Sequence, residues 1–192
     1  MLLFLMEMIS LANKGEMWMK RGWLPSFFTI ANLVTGVMSL FYSIQTMYRL
    51  ALIMIIVAAF CDVMDGLVAR WLRCNSDFGK QLDSLADVVS FGVAPAFLIL
   101  LSNLSDVGWI GVVVTIVFIA CGALRLARFN LLAPSKGFVG MPITAAGFLL
   151  ALSSLFSKHL SALVFIILIA VLAYLMVSRV PFPSLKRNIE KK

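Results

Sequence analysis

Five of the nine acidic residues of the chain lie between Asp62 and Asp87, and their placement is the clearest sign of chemistry in the sequence. Four of them interrupt stretches that are otherwise apolar: Asp62, Asp65, Asp83 and Asp87. A carboxylate at the centre of an apolar, membrane-like helix costs roughly 2.5–3.5 kcal/mol on insertion scales, so such a residue is usually paired and functional. These four aspartates are therefore the first candidates for a catalytic or ligand-binding site.

The spacing of these aspartates predicts that they converge. Asp62 and Asp65 are three residues apart, so they share one face of a helix, and Asp83 and Asp87 are four apart on the next helix. The two helices are joined by a short polar loop at about 74–81. The two acidic faces are thus expected to meet near that loop.

Four converging carboxylates cannot all stay ionised without cations between them. Hard oxygen ligands favour Mg²⁺, Mn²⁺ or Ca²⁺, and two such ions would balance four charges and still attract a diphosphate. Arg70 would add hydrogen-bond donors for the same phosphates. Gly66 and Ala69 leave room for a ligand, although small residues also serve close helix packing. Intramembrane acids also form ion or proton paths in transporters, which is the alternative interpretation.

The composition shows what kind of elements must hold this cluster. Of the 192 residues, 62% are hydrophobic and 13% are charged, whereas soluble domains are roughly 45–50% apolar and about 25% charged. A soluble domain of this size cannot bury so much apolar surface. The composition therefore excludes a soluble globule and a nucleic-acid-binding module, and it indicates a membrane protein.

Six apolar stretches are long enough to cross a bilayer, which requires about 20 residues. They cover residues 26–48, 51–73, 82–102, 107–130, 138–157 and 160–179. We therefore predict an all-α, polytopic bundle of six transmembrane helices over 23–181. Residues 1–22 mix apolar and charged side chains and predict an amphipathic helix in the interface, and 182–192 form a basic tail.

The basic residues set the orientation of these spans. Of the 16 Lys and Arg residues, only Arg49 and Lys158 fall on the side opposite to the 74–81 loop. The positive-inside rule then places both termini and the acidic cluster on the cytoplasmic side of a cell membrane. The net charge of +7 suits anionic membrane lipids.

Eight residues of the acidic region match the signature D-x2-D-G-x2-A-R-x8-G-x3-D-x3-D, and the chain thereby resembles the CDP-alcohol phosphatidyltransferases. The matching residues are Asp62, Asp65, Gly66, Ala69, Arg70, Gly79, Asp83 and Asp87. This resemblance implies an integral membrane enzyme that displaces CMP from a CDP-linked lipid with an alcohol. It also implies a homodimer.

The resemblance assigns a role to each matching position. Asp62, Asp65 and Asp83 match metal ligands, and Asp87 matches a metal-associated catalytic base. The remaining four match contacts to the CDP-lipid, a role that Asp62 shares: Gly66, Ala69, Arg70 and Gly79. The run 29–36 resembles the first span of the family, in which Asn32 faces the nucleotide; Asn32 is otherwise a candidate for bonding a neighbouring helix.

Three further segments resemble the phosphatidylserine synthase branch of the family: 90–96, 125–130 and 138–142. The implied reaction joins CDP-diacylglycerol, or CDP-archaeol, to the hydroxyl of L-serine. Arg125 and Arg128 share a helix face and suit the serine carboxylate, unless they are interfacial anchors. Ser90, one turn after Asp87, is expected to line the alcohol pocket, unless its hydroxyl bonds its own helix.

Other functions remain open on the residues alone. Within the same enzyme class, the alcohol could be glycerol phosphate or an inositol species. Outside it, the acids could form the path of a cation transporter, or the chain could bind lipid without catalysis. The three classes differ in whether activity needs a CDP-lipid, Arg70 and Asp87.

Overall fold

The computed structural model describes residues 23–72, 77–131, 140–157 and 160–178. Throughout these ranges the chain is helical or forms turns, without a β-strand, which confirms the all-α class for this part of the protein. The predicted interfacial helix (1–22) and the basic tail (182–192) lie outside the described residues.

The first two helices form an antiparallel hairpin that starts the bundle. Helix α1 spans Trp23–Ile44 and α2 spans Tyr48–Leu72. The tight turn between them places Thr46 at a positive φ of 61°. Both helices overlap the predicted spans 26–48 and 51–73, and they pack more extensively against each other than any other pair of described elements.

The third helical stretch is long and changes its winding four times. It begins with α3 (Asp77–Asp87), continues through a first π-helical segment (Val88–Val93), and becomes α-helical again in α4 (Ala94–Ile99). A second π-helical segment (Leu100–Leu104) and a 3₁₀ turn (Ser105–Val107) complete it. The stretch begins before the predicted residue 82 because its first turns are amphipathic rather than apolar, which a search for apolar runs overlooks.

Pro95 explains the first change of winding. Proline has no backbone N–H, so the α-helical hydrogen bond from position 95 to the carbonyl of Phe91 cannot form. The preceding turn is π-helical, with the N–H of Ala94 donating to the carbonyl of Val89. Such π-helical turns are rare in proteins, and those that occur often lie at functional sites. This one begins directly after Asp87.

Three helices complete the described chain. They are α5 (Trp109–Leu131), α6 (Ile143–Ser153, extended by a 3₁₀ turn at Ser154–Phe156) and α7 (Ala162–Val177). Helix α6 starts later than the predicted residue 138, because Gly140 has a φ of 85° and Pro142 is extended. A Cβ at Gly140 would lie 2.9 Å from the carbonyl oxygen of Met176, so the turn before α6 is fixed against the end of α7.

Four of these helical stretches are long and apolar enough to cross a membrane: Phe27–Ile44, Tyr48–Val68, Phe78–Val107 and Trp109–Asn130. The stretches Ile143–Phe156 and Ala162–Val177 are apolar but shorter. Large apolar side chains, such as Phe60, Ile116 and Tyr174, are exposed on the outer faces. This surface is typical of a membrane protein, whose solvent is lipid.

The third helical stretch lies at the centre of the fold, in contact with α1, α5 and α6. Phe91 is fully buried there and belongs to the main core with Phe118 and Phe165. Its backbone is approached so closely by α6 that a Cβ at Gly147 would lie 2.0 Å from the Phe91 carbonyl oxygen. The helical segment that directly follows Asp87 is therefore packed tightly within the core.

Candidate active site

Three of the predicted aspartates come together between α2 and α3. Carboxylate oxygens of Asp62, Asp83 and Asp87 all lie within 4.8 Å of one another. Asp87 is 7% exposed, and the other two are half-buried. Oxygen donors at this spacing can hold a hard divalent cation, which would also offset the repulsion between the carboxylates.

Asp65, the fourth predicted aspartate, has its own partner. Its carboxylate is buried and accepts a hydrogen bond from the hydroxyl of Thr29 on α1. It does not belong to the group of three, although its charge acts on Asp62 and Asp83. Thr29 was not among the site residues predicted from the sequence. Its position three residues before Asn32, and hence on the same helix face, is the signal that could have identified it.

Asp87 is the last residue of α3, and a residue of α1 donates a hydrogen bond to its carboxylate. Asn32, which is fully buried, donates a hydrogen bond from its Nδ2 to Oδ1 of Asp87 over 3.4 Å. The side-chain Oδ1 of Asn32 has no hydrogen-bond partner among the residues that the structure describes. Asn32 thus contacts the acidic cluster directly, and it also bridges two helices.

Ser90 points toward α1 as well. Its hydroxyl donates to the backbone carbonyl of Asn32 over 2.9 Å, and the residue has no exposed surface. In this structure the hydroxyl therefore bonds a helix backbone, whereas the sequence predicted that it faces the alcohol. No residue of its own helix receives this bond, so the back-bonded alternative also differs from what is observed.

Gly66 of the signature borders an open flank of α2. A Cβ built at Gly66 would meet no heavy atom of the described residues within 4 Å. Arg70 is exposed, and its Nε donates to the carbonyl of Gly66 over 2.9 Å, which folds the side chain back along α2. Gly79 is half-buried near the start of α3, while the side-chain environment of Ala69 lies outside what the structure describes.

The two arginines of α5 differ in their surroundings. Arg125 is partly buried, its charge acts on Asp87, and its Nε has no hydrogen-bond partner in the described ranges. Arg128 is exposed. Near them, Asn130 donates to the hydroxyl of Ser84 over 3.0 Å and so connects α5 to α3. Arg125 is thus the arginine whose charge acts on the acidic cluster.

The sequence comparisons give the class of protein that carries this site. The family model of the CDP-alcohol phosphatidyltransferases matches residues 22–177. The chain therefore belongs to the CDP-alcohol phosphatidyltransferase family and is a transferase.

Individual relatives are similar over most of the chain. A Helicobacter pylori protein named CDP-diacylglycerol–serine O-phosphatidyltransferase is 36% identical over 172 residues, which cover 85% of this chain and 73% of the relative. A protein of the same name from Bacillus subtilis is 36% identical over 172 residues, which cover 86% and 93%. The archaetidylserine synthase of Methanothermobacter thermautotrophicus is 39% identical over 165 residues, which cover 83% and 69%.

Proposed function

We propose that the protein transfers the phosphatidyl group of CDP-diacylglycerol to the hydroxyl of L-serine and forms phosphatidylserine and CMP. The relatives that carry this activity in their names support serine as the alcohol. The observation that carries the proposal is the convergence of Asp62, Asp83 and Asp87 within 4.8 Å. An intramembrane carboxylate cluster of this kind suits a diphosphate substrate bound through cations.

The aspartates would hold divalent metal, with two Mg²⁺ or Mn²⁺ ions as our expectation and Ca²⁺ as a further option. Asp62, Asp83 and Asp87 would contribute the oxygens that lie within 4.8 Å of one another, and Asp65, oriented by Thr29, would complete the set. When bound, the metal would neutralise the diphosphate and stabilise the negative charge that develops on the leaving CMP. The donor set, made entirely of carboxylate oxygens, fits such ions.

The CDP moiety would lie along the open flank of α2. The empty space beside Gly66 leaves room for the nucleotide to approach the helix backbone, with Ala69, Gly79 and Asn32 as further contacts. Arg70 would leave the carbonyl of Gly66 and turn its guanidinium to the phosphates, since a phosphate is a stronger acceptor than a carbonyl.

Asp87 would act as the general base. It would take the proton of the serine hydroxyl while the serine oxygen forms a bond to the phosphorus that carries the diacylglycerol. The bond from that phosphorus to the oxygen of CMP breaks, and CMP leaves with the bonding electrons. Asn32 holds one oxygen of Asp87, which fixes the orientation of the base.

The carboxylate of serine would be bound by α5. Arg125 has a buried Nε that is available for hydrogen bonding, and its charge acts on Asp87. Arg128, three residues further along, would add a second guanidinium at the exposed end. Ser90 is a weaker candidate for this pocket because its hydroxyl already donates to α1.

The membrane setting follows the sequence. We propose six spans within 23–181, an interfacial helix at 1–22, a basic tail at 182–192, both termini and the site on the cytoplasmic side of the cell membrane, and a homodimer. The lipid chains of the substrate would be diacyl or archaeal ether chains. The archaeal relative named archaetidylserine synthase supports the second form.

Release of CMP from CDP-diacylglycerol by the purified protein tests this function. We expect phosphatidylserine and CMP only when serine and divalent metal are both present, and a loss of more than a hundredfold in Asp87→Asn, in line with the usual contribution of general-base catalysis, roughly 10²–10⁴-fold. The matched control is Asp106→Asn, which alters an exposed aspartate outside the cluster and should keep full activity.

Three results would contradict the proposal in different ways. Turnover with glycerol phosphate or inositol but not with serine would show that serine is not the alcohol substrate. Full activity after thorough chelation would show that the reaction does not require a divalent metal. Cation flux in vesicles without any CDP-lipid, together with no CMP release, would favour a transporter.

A further inference from the structure

We propose that Ser90 is a positioning residue, which holds Asn32 so that its amide fixes the orientation of the Asp87 carboxylate. The inference rests on the proposed role of Asp87 as the base. It assigns to Ser90 a role different from contact with the alcohol substrate. The evidence is a closed set of contacts between α1 and the first π-helical segment.

The first contact joins Ser90 to the backbone of α1. A serine inside a helix ordinarily bonds a carbonyl three or four residues earlier in the same helix, but Ser90 donates instead to the carbonyl of Asn32 over 2.9 Å. The residue is fully buried. The hydroxyl therefore connects two elements, and it cannot reach a substrate unless that contact breaks.

The second contact is the close approach of the two backbones. A Cβ at Gly36, one turn after Asn32, would lie 2.3 Å from Oγ and 2.9 Å from Cα of Ser90. Real Cβ atoms do not come this close to other heavy atoms, so α1 meets the π-helical segment only because residue 36 is glycine. This close approach at Gly36 brings Ser90 within hydrogen-bonding distance of Asn32.

The third contact runs back to the base. The Nδ2 of Asn32 donates to Oδ1 of Asp87 over 3.4 Å, which is beyond the usual range of about 2.7–3.2 Å. A bond of this length is easily lost when α1 shifts by a few tenths of an ångström. Because Ser90 follows Asp87 by three residues, its bond to Asn32 closes a ring that keeps the amide and the carboxylate in register.

Ser90→Ala tests the proposal in the purified full-length protein, with whichever alcohol the wild type accepts. We expect kcat to fall roughly tenfold, since small displacements of a catalytic group can cost up to about a hundredfold. The KM for the alcohol and for CDP-lipid should stay at the wild-type value. Ser39→Ala is the matched control: Ser39 is a fully buried serine on α1 without a hydrogen-bond partner in the described chain, so its removal should leave kcat unchanged.

A double-mutant cycle distinguishes positioning from an independent role. Asn32→Leu removes the amide through which Ser90 acts, so adding Ser90→Ala to Asn32→Leu should lower kcat no further. Ser90→Cys keeps a weak donor and should recover part of the loss. It also provides a second variant if Ser90→Ala folds poorly.

Three outcomes would overturn the inference. They are an unchanged kcat in Ser90→Ala, a raised KM for the alcohol with kcat retained, and a full further loss in the Asn32→Leu background. If the wild type uses an alcohol other than serine, the proposed function fails, but the cycle can still be measured with that alcohol.

Discussion

At the scale of single residues, the acidic cluster brings together carboxylates whose mutual repulsion the proposed cation would relieve. Asp62, Asp83 and Asp87 converge within 4.8 Å, with only Arg125 acting as a counter-charge on Asp87 among the interactions described above. Like charges at this distance destabilise the fold, while ligands that bind only the folded state stabilise it. If the cluster binds metal as proposed, stability and metal binding should therefore be coupled in this protein.

The first prediction uses this coupling. Without metal, Asp83→Asn should unfold at a higher temperature than the wild type, because one of the repelling charges is gone. With saturating Mg²⁺ or Mn²⁺ the order should reverse, since the wild type gains about 2.7 kcal/mol at a hundred times the Kd and the variant gains less. Thermal unfolding in detergent measures both states. Equal stabilisation of the two proteins by metal would contradict the prediction.

Thr29 provides a second prediction at this scale. Thr29→Val removes the hydroxyl that donates to Asp65 and leaves a side chain of nearly the same shape. Loss of a group that orients a metal ligand typically weakens metal affinity about 10–100-fold. We expect CMP release by Thr29→Val to need correspondingly more metal, while Thr29→Ser stays near the wild type.

Thr115→Val is the control for that measurement. Thr115 is also buried, but its hydroxyl donates to Gly111 within its own helix. Its replacement should leave the metal dependence unchanged. The same shift in metal requirement for both valine variants would show that Thr29 has no special role.

At the scale of the elements, the π-helical segment after Asp87 is the feature that sets this helix apart. Pro95 prevents the ordinary α-helical bond to Phe91, and the altered winding presents Ser90 to α1. Pro95→Ala restores the missing N–H and should favour a regular α-helix through this segment. We expect a stability equal to or above that of the wild type together with a clear loss of kcat. Unchanged kcat would mean that the winding has no catalytic importance.

The two glycines Gly147 and Gly66 should respond oppositely to alanine. A Cβ at Gly147 would lie 2.0 Å from a backbone oxygen of Phe91, whereas a Cβ at Gly66 would meet no described heavy atom within 4 Å. Gly147→Ala should lose at least the roughly 1–3 kcal/mol typical of overpacking. Gly66→Ala should fold as well as the wild type, yet it should raise the KM for CDP-lipid if the nucleotide lies along that flank.

Thermal unfolding and steady-state kinetics of the two variants separate these effects. A strongly destabilised Gly66→Ala would indicate that the residue serves helix packing rather than ligand binding. A fully stable Gly147→Ala would mean that α6 does not need to touch the π-helical segment so closely.

At the scale of the whole molecule, the sequence predicted the helices better than it predicted the contacts between them. Six described helical stretches overlap the six predicted spans, because long apolar runs mark such helices. Four of them are long and apolar enough to cross a membrane, and the last two are shorter. The meeting of Asp62 with Asp83 and Asp87 followed from their spacing and the short loop. The separate partner of Asp65 did not, because the approach of α1 depends on how the helices pack.

The same limit explains what was missed at the ends of the helices. A count of apolar residues placed the start of α6 at 138 because such a count does not register the positive φ of Gly140 or the extended Pro142. It also could not predict a π-helical segment, although Pro95 marked a disturbed helix. The direction of Ser90 depends on that winding, so its partner on α1 could not be read from the sequence.

The orientation of the molecule gives the last prediction. In the proposed six-span arrangement, 14 of the 16 Lys and Arg residues would lie on the side of the 74–81 loop. A reporter enzyme fused to the C-terminus should then be active only if it works in the cytoplasm. A reporter inserted at 158–159 should give the opposite result, and two reporters on the same side would contradict six spans.

The shortness of the last helices has a consequence for the surrounding lipid. Helix α7 has 16 residues, so it is about 24 Å long, whereas the hydrocarbon core of a bilayer is about 30 Å thick. If α7 spans the membrane, the leaflets beside it must pinch inward to match it. Such local thinning would bring the headgroup layer closer to the ends of α7 and to α6, which packs against α7. Water would then reach deeper beside these two helices than beside the longer ones.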